Sequence, residues 1–96
     1  MKKVYKYGLP NHGIKTMVMP AGAELLHVEY QGAITNYHEP GIKLWAMVDE
    51  RAQETEARRL YIARTGEDLP EERKRYIGTV LIDNGQYAVH VFELSL

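Results

Sequence analysis

Residues 76–94 read YIGTVLIDNGQYAVHVFEL, two β-favouring runs around Asn84-Gly85. A two-residue type I′ loop needs positive φ at both central positions, which Asn and Gly supply at little cost, and it fixes the register of the flanking strands. Counting outward pairs Ile82 with Tyr87, Leu81 with Ala88, Val80 with Val89, Thr79 with His90, Gly78 with Val91 and Ile77 with Phe92. Side chains alternate along a strand. One face therefore carries Ile77, Thr79, Leu81, Ala88, His90, Phe92 and Leu94, the other Tyr76, Gly78, Val80, Ile82, Tyr87, Val89, Val91 and Glu93. A hairpin with one wet face shows a clean apolar/polar alternation. This one does not, so it is expected to be central in the fold and covered on both sides.

The Thr79/His90 side, large aliphatics around one satisfiable polar pair, reads as the core within the chain. The side bearing Gly78, Val80, Tyr87, Val89 and Val91, with a gap at Gly78, reads as the surface for another subunit, since contiguous exposed apolar patches usually mark an interface. A homo-oligomer is the corresponding expectation.

Upstream, short runs with alternating character recur between Gly, Pro and Asn signals, and no segment sustains a helical stripe. Strands are expected near 3–7, 15–19, 23–30, 42–48, 58–64, 75–82 and 87–94. In DLPEER, Asp68 and Glu71 have capping-box spacing with Pro70 in the first turn, which predicts one helical turn. The fold class is thus mainly β: a single domain over 1–96, built as a small antiparallel sheet, sandwich or open barrel of six or seven strands with one short helical turn.

Composition bounds the chemistry. The chain of 96 residues has no cysteine, which excludes disulfides and thiolate metal sites and suits a cytoplasmic setting. The amino terminus MKKVYKYGLP lacks the apolar run of a signal peptide, and no stretch has the length of a membrane span, so no membrane partner is expected. A net charge of −1 gives no global basic field for duplex nucleic acid. The only serine is Ser95, next to last, which leaves no nucleophile for a triad and assigns no catalytic residue. Histidines at 12, 27, 38 and 90 lack paired spacing, so neither a metal site nor a cofactor is expected. His27 with Glu29, and His38 with Glu39, are the weak acid–base pairs from which a hydrolase reading could start.

Two constellations point instead to binding. IKLWAMV places Ile42, Leu44, Ala46 and Val48 on one face, and RRLYIAR places Arg58, Leu60, Ile62 and Arg64 on one face. If these strands pair and bury their aliphatic faces, Lys43, Trp45, Arg59 and Tyr61 share the opposite one. Aromatic planes stack on bases and cations neutralise phosphates, so that surface suits a nucleotide-like small molecule. The plainer reading makes Trp45 and Met47 core. A second basic group, Arg64-Thr65-Gly66 followed by Arg73, Lys74, Arg75 and Tyr76, has a glycine for close backbone approach to an anion and arginines that fork onto phosphate. The acidic residues between them, Glu67, Asp68, Glu71 and Glu72, equally suit a self-neutralised loop. The loop QGAITNYHEPG, 31–41, is long enough to carry a docking function.

The succession MPAGAELLHVE, LWAMVDE, YIARTG, YIGTV and VHVFEL resembles a family of small phage-encoded proteins of about this length, over nearly the whole chain. The shared motifs are packing and turn motifs and bring no catalytic residues. The resemblance implies a phage accessory protein acting in the host cell cytoplasm against host defence. It would do so by sequestering a nucleotide-derived immune signal of cyclic-nucleotide or ADP-ribose type. The alternative is an inhibitor that binds a host protein through an edge strand or the 31–41 loop.

Overall fold

The computed structural model describes residues 1–32 and 39–95. Seven strands run in order: β1 (Lys2–Leu9), β2 (Gly13–Pro20), β3 (Glu24–Gln31), β4 (Gly41–Asp49), β5 (Thr55–Arg64), β6 (Lys74–Ile82) and β7 (Tyr87–Leu94). They form two antiparallel sheets, β1-β4-β3 and β2-β5-β7-β6, stacked as a sandwich. Its Cα extents of 41 × 39 × 16 Å leave room for one layer of side chains between the sheets. That layer holds Met17, Met19, Val28, Ile42, Leu44, Ala46, Val48, Leu60, Ile62, Val80, Val89 and Val91.

The hairpin register is the one the turn dictates from Ile82↔Tyr87 to Gly78↔Val91, with φ of 53° at Asn84 and 84° at Gly85. A bulge at Ile77 then puts Tyr76, not Ile77, opposite Phe92. The two faces, however, are the reverse of the expectation. Val80, Val89 and Val91 face the other sheet and are buried, so these residues and Gly78 belong to the intrachain core. Of the residues expected at a subunit interface, Tyr87 alone is well exposed, at 62%. The gap at Gly78 is filled from within: a Cβ there would stand 2.8 Å from Val28 Cγ2 on β3. Alternation revealed two apolar faces but carried no information on which one the partner sheet would meet.

A segment of the same chain crosses the outward face. β5 and β6 are both antiparallel to β7, which lies between them, so they run parallel to one another and need a crossover. The inner face is occupied by the three-stranded sheet, and residues 65–73 pass over the outer one. The expected helical turn does not form in this strap. The strap runs only from Arg64, opposite Val89, to Lys74, opposite Leu94, roughly 17 Å at about 3.3 Å per residue. It is tied down on the way by side-chain bonds, Glu67 to Tyr61 and the Arg64 N–H and Glu72 to Arg59, in place of the repeating backbone bonds of a helix. The strap explains why Ala63 and Leu94, whose register places them on the outer face, are only 1% and 3% exposed. Away from it, Ile14, Val18, Tyr76 and Leu81 remain exposed.

β4 does not pair with β5. It is the centre of the smaller sheet between β1 and β3, while β5 lies in the larger one. Their aliphatic faces do meet, but across the core, so Lys43 and Trp45 point out of one side of the sandwich and Arg59 and Tyr61 out of the other. The four residues therefore do not share one face.

One end of the sandwich is sealed by ions. Arg58 continues the inward face of β5 and donates from Nε and Nη2 to the Glu93 carboxylate, the latter bond 3.1 Å, and from Nη1 to the Ala23 carbonyl at 2.8 Å. Glu56 lies 3.2 Å away and Arg75 also reaches Glu93, at 3.1 Å. The carboxylates raise the Arg58 pKa above its ordinary value, with the Glu93 hydrogen bond the leading cause.

Two outcomes follow for denaturant unfolding. Gly78→Ala should cost about 1–3 kcal/mol, because a β-branched core side chain must yield to the new methyl. Combined with Val28→Ala, the loss should fall short of the sum of the single losses. Arg58→Ala should cost about 3 kcal/mol, since it strands Glu93 with one solvent-exposed partner; equal stability of variant and parent would show that the cluster does not hold this end.

Candidate functional site: the open end of the sandwich

The inward face of β5 reads Arg58, Leu60, Ile62, Arg64, an arginine at each end of two core aliphatics. At the Arg64 end, opposite Val89, no ion pair to Arg64 closes the sandwich among the described residues. A cleft of about 580 Å³ opens there, formed by the end of β5, the β6–β7 hairpin and the β1–β2 link. Ile82 and Val89 give it an apolar floor, Arg64 and Tyr87 stand at its walls, and Asn11, Thr65 and Gln86 supply polar groups. Among the described residues the Arg64 guanidinium makes no hydrogen bond or ion pair. An aromatic ring and an unpaired cation over an apolar floor can hold a planar group carrying negative charge.

The backbone beneath Arg64 is fixed from outside. The Arg64 N–H donates to Glu67, closing the turn that Gly66 makes with φ of 90°. The Tyr61 hydroxyl donates to Glu67 at 2.8 Å, and His12 Nε2 lies 2.9 Å from the same carboxylate. These contacts hold the Glu67 pKa down at about 2, with the Arg64 N–H the largest cause, then His12, then Tyr61. The bond to Glu67 also raises the Tyr61 pKa. This set spans 55 residues of sequence between His12 and Glu67, and no local pattern announced it.

The other expected ligand residues are dispersed. Arg59 is bound to Glu72 of the strap, whose pKa it lowers, and Arg75 to Glu93. Tyr76 packs edge-on against Phe92, centroids 5.7 Å apart, and its hydroxyl lies 2.6 Å from Thr79 Oγ1. Lys43 and Trp45 lie on the opposite side of the molecule, Trp45 tilted against His27 at 6.1 Å. Of the nine, Arg64 and Thr65 reach the cleft, Gly66 shapes the turn beside it, and Asn11, Gln86 and Tyr87 join them. The inward-facing arginine at the end of RRLYIAR was the signal available in the sequence.

His90 is hydrogen-bonded as expected of a packed histidine, but under the strap and not between the sheets. Its Nδ1 lies 3.0 Å from Thr79 Oγ1 and its Nε2 2.8 Å from Thr65 Oγ1. The exposed His27 and Glu29 stand 3.9 Å apart on the β3 edge. His38, and positions 33–38 of the expected docking loop, lie outside the described residues. Among the described residues no group of three His, Asp or Glu side chains is placed to hold a metal.

Glu67 links this corner to pH. Its folded pKa is depressed, so its contribution to stability is complete above the ordinary carboxylate value of 4.5 and is lost as pH falls towards about 2. Glu67→Gln should therefore flatten the stability–pH curve across that window, as read by urea unfolding at a series of acid pH values. An unchanged slope would mean that Glu67 is not held in this way.

No curated protein and no solved structure matches the chain. The family described as Domain of unknown function (DUF7352) matches residues 1–96, and the chain belongs to that family.

Proposed function

We propose that the protein is a non-enzymatic binding protein that holds a nucleotide-derived anion in the Arg64–Tyr87 cleft. The observation that carries this reading is the contrast between the two ends of β5. Arg58 is part-buried and its guanidinium is matched by Glu93 and a carbonyl, whereas Arg64 is exposed, makes no hydrogen bond or ion pair from its guanidinium among the described residues, and stands at a cleft with its donors open to a ligand. Phosphate oxygens fit the guanidinium fork, and the Tyr87 ring offers a stacking plane for a base. Asn11, Thr65 and Gln86 can complete hydrogen bonds to sugar or base edges.

In the phage setting that the sequence resemblance implies, such binding sequesters a cyclic-nucleotide or ADP-ribose-type immune signal in the host cytoplasm. The homo-oligomer belongs to the same proposal, with the exposed outer-face residues Ile14, Val18, Tyr76 and Leu81 in place of the buried valines as its contact surface. The alternative, an inhibitor presenting an edge strand or the 31–41 loop to a host protein, predicts co-purification with one protein and indifference to nucleotides.

Titration calorimetry with ADP-ribose, a cyclic dinucleotide and AMP tests the binding. At least one should bind in the micromolar range. Arg64→Ala should weaken it tenfold or more, from the roughly 1.5–3 kcal/mol of a charge-assisted hydrogen bond. Tyr87→Ala should weaken it about tenfold through lost stacking. Sensitivity to Trp45→Ala with indifference to Arg64→Ala would move the site to the other face. No heat from any probe up to about 1 mM, a level that still detects the weakest specific binding, overturns the reading. Recovery of converted ligand after incubation overturns its non-enzymatic part.

A further inference from the structure

β3 and β6 are the outermost strands of their sheets and lie on the same side of the sandwich. No ladder joins them. They touch where Val28 sits over Gly78. Beyond that contact, towards the hairpin, a cleft of about 680 Å³ separates His27–Tyr30 from Thr79–Gly85. Among the described residues each of the two strands is laddered on one side only, which leaves its other edge as a template for a further strand. Val28 and Val80, both buried, form the floor, and Tyr30 and Leu81 the rims.

The charge of the cleft is one-sided. Glu29 on β3 and Asp83 just past β6 line it and no lysine or arginine does; Lys43 stands across the ladder from Glu29 on the outer face of the sheet, but no ion pair joins Glu29 or Asp83 to Lys or Arg among the described residues. Phosphate would meet two carboxylates here, so the site rejects the ligand that suits the Arg64 end. We propose that this cleft receives an extended segment of a partner protein, about four residues at roughly 3.3 Å each. Its aliphatic side chains face Val28 and Val80, and the alternate, basic ones face Glu29 and Asp83. Main-chain hydrogen bonds to the two edges supply affinity, and the alternation supplies specificity. The basic β1 edge of a second copy (Lys2, Lys3, Lys6) shares part of this chemistry, but it is already laddered to β4 along one side and can pair only one of the two edges.

A blocked hexapeptide alternating Lys and Val tests this, read by amide chemical shifts and hydrogen exchange on the full chain. The controls are its Glu/Val counterpart and two versions N-methylated at one or the other set of alternate residues. The Lys/Val peptide should protect amides within Val28–Gln31 and Thr79–Ile82, and N-methylation should abolish or sharply weaken that protection. Glu29→Gln with Asp83→Asn alters only exposed side chains and keeps an amide side chain at the positive-φ Asp83, so it should fold and weaken binding about fivefold, as two rim ion pairs allow. Three results would overturn the proposal: no change at these amides with millimolar peptide, equal binding of the Glu/Val or N-methylated peptides, or protection that rises with protein concentration without peptide, which assigns the edge to a second copy. Because the Arg64 cleft is not involved, Arg64→Ala should leave the peptide response unchanged, and its loss in that variant also counts against the proposal.

Discussion

Strand β7 is apolar on both faces and is flanked by two strands parallel to one another, and these two facts resolve each other. The parallel relation demands a crossover, the inner face is taken by the three-stranded sheet, and so residues 65–73 must run over the outer face. In doing so they shelter Ala63 and Leu94, and with Leu69 and Glu67 they border a small cavity over His90 and Phe92. The strap is pinned at both ends, by Glu67 on Tyr61 and the Arg64 N–H and by the Ser95 N–H on the Arg73 carbonyl at 2.7 Å, with Glu72 on Arg59 between. Pinning its first turn fixes the residue that precedes it. Arg64 is thus held as the inward-facing end of β5 by the same contacts that hold the outer layer down.

That coupling explains why the two ends of one strand differ. At the Arg58 end the β2–β3 link crosses between the sheets and presents the Ala23 carbonyl, and Glu93 arrives from β7, so every strong donor of Arg58 has an acceptor. At the Arg64 end the carboxylate that binds its backbone N–H, Glu67, is engaged with Tyr61 and His12 on the outer face. Glu67 stabilises the backbone of Arg64 without neutralising its side chain. Arg64 is exposed and its guanidinium has no protein partner among the described residues, so in the proposed binding an anionic ligand takes its donors in place of water.

What the sequence revealed of this depended on range. Strand positions were legible because Gly, Pro and Asn bound each alternating run, and the hairpin register followed from two residues, Asn84 and Gly85. The choice of inner face was not, because it turns on Val28, fifty positions before Gly78. Nor was the partner of β4, since its aliphatic face suits either a neighbour in the sheet or a layer across the core. The helical turn at 68–71 was a local inference that lost to the strap's tertiary contacts, Glu67 on Tyr61 and His12 and Glu72 on Arg59. Arg64 and Thr65 were singled out for their chemistry, but the surface they serve is assembled from Asn11 and from the β6–β7 turn, which only the fold brings together.

The hairpin tip has a role beyond setting register. Three consecutive positive-φ residues, Asp83, Asn84 and Gly85, make a tight wall whose two sides are different environments, with Ile82 and Gly85 bordering both clefts. Among the described residues, Arg64 stands on one side with no carboxylate paired to its guanidinium, and Asp83 and Glu29 stand on the other in a cleft that no lysine or arginine lines. A net charge of −1 conceals this sorting, because the overall sum averages out fields that are separated by a single turn of chain. Dissolved salt screens exposed charges from one another over about 10 Å, so each cleft is governed chiefly by the charges that line it. The turn that makes the hairpin fold is therefore also what allows a chain of this size to offer an anion site and a cation-selecting edge side by side.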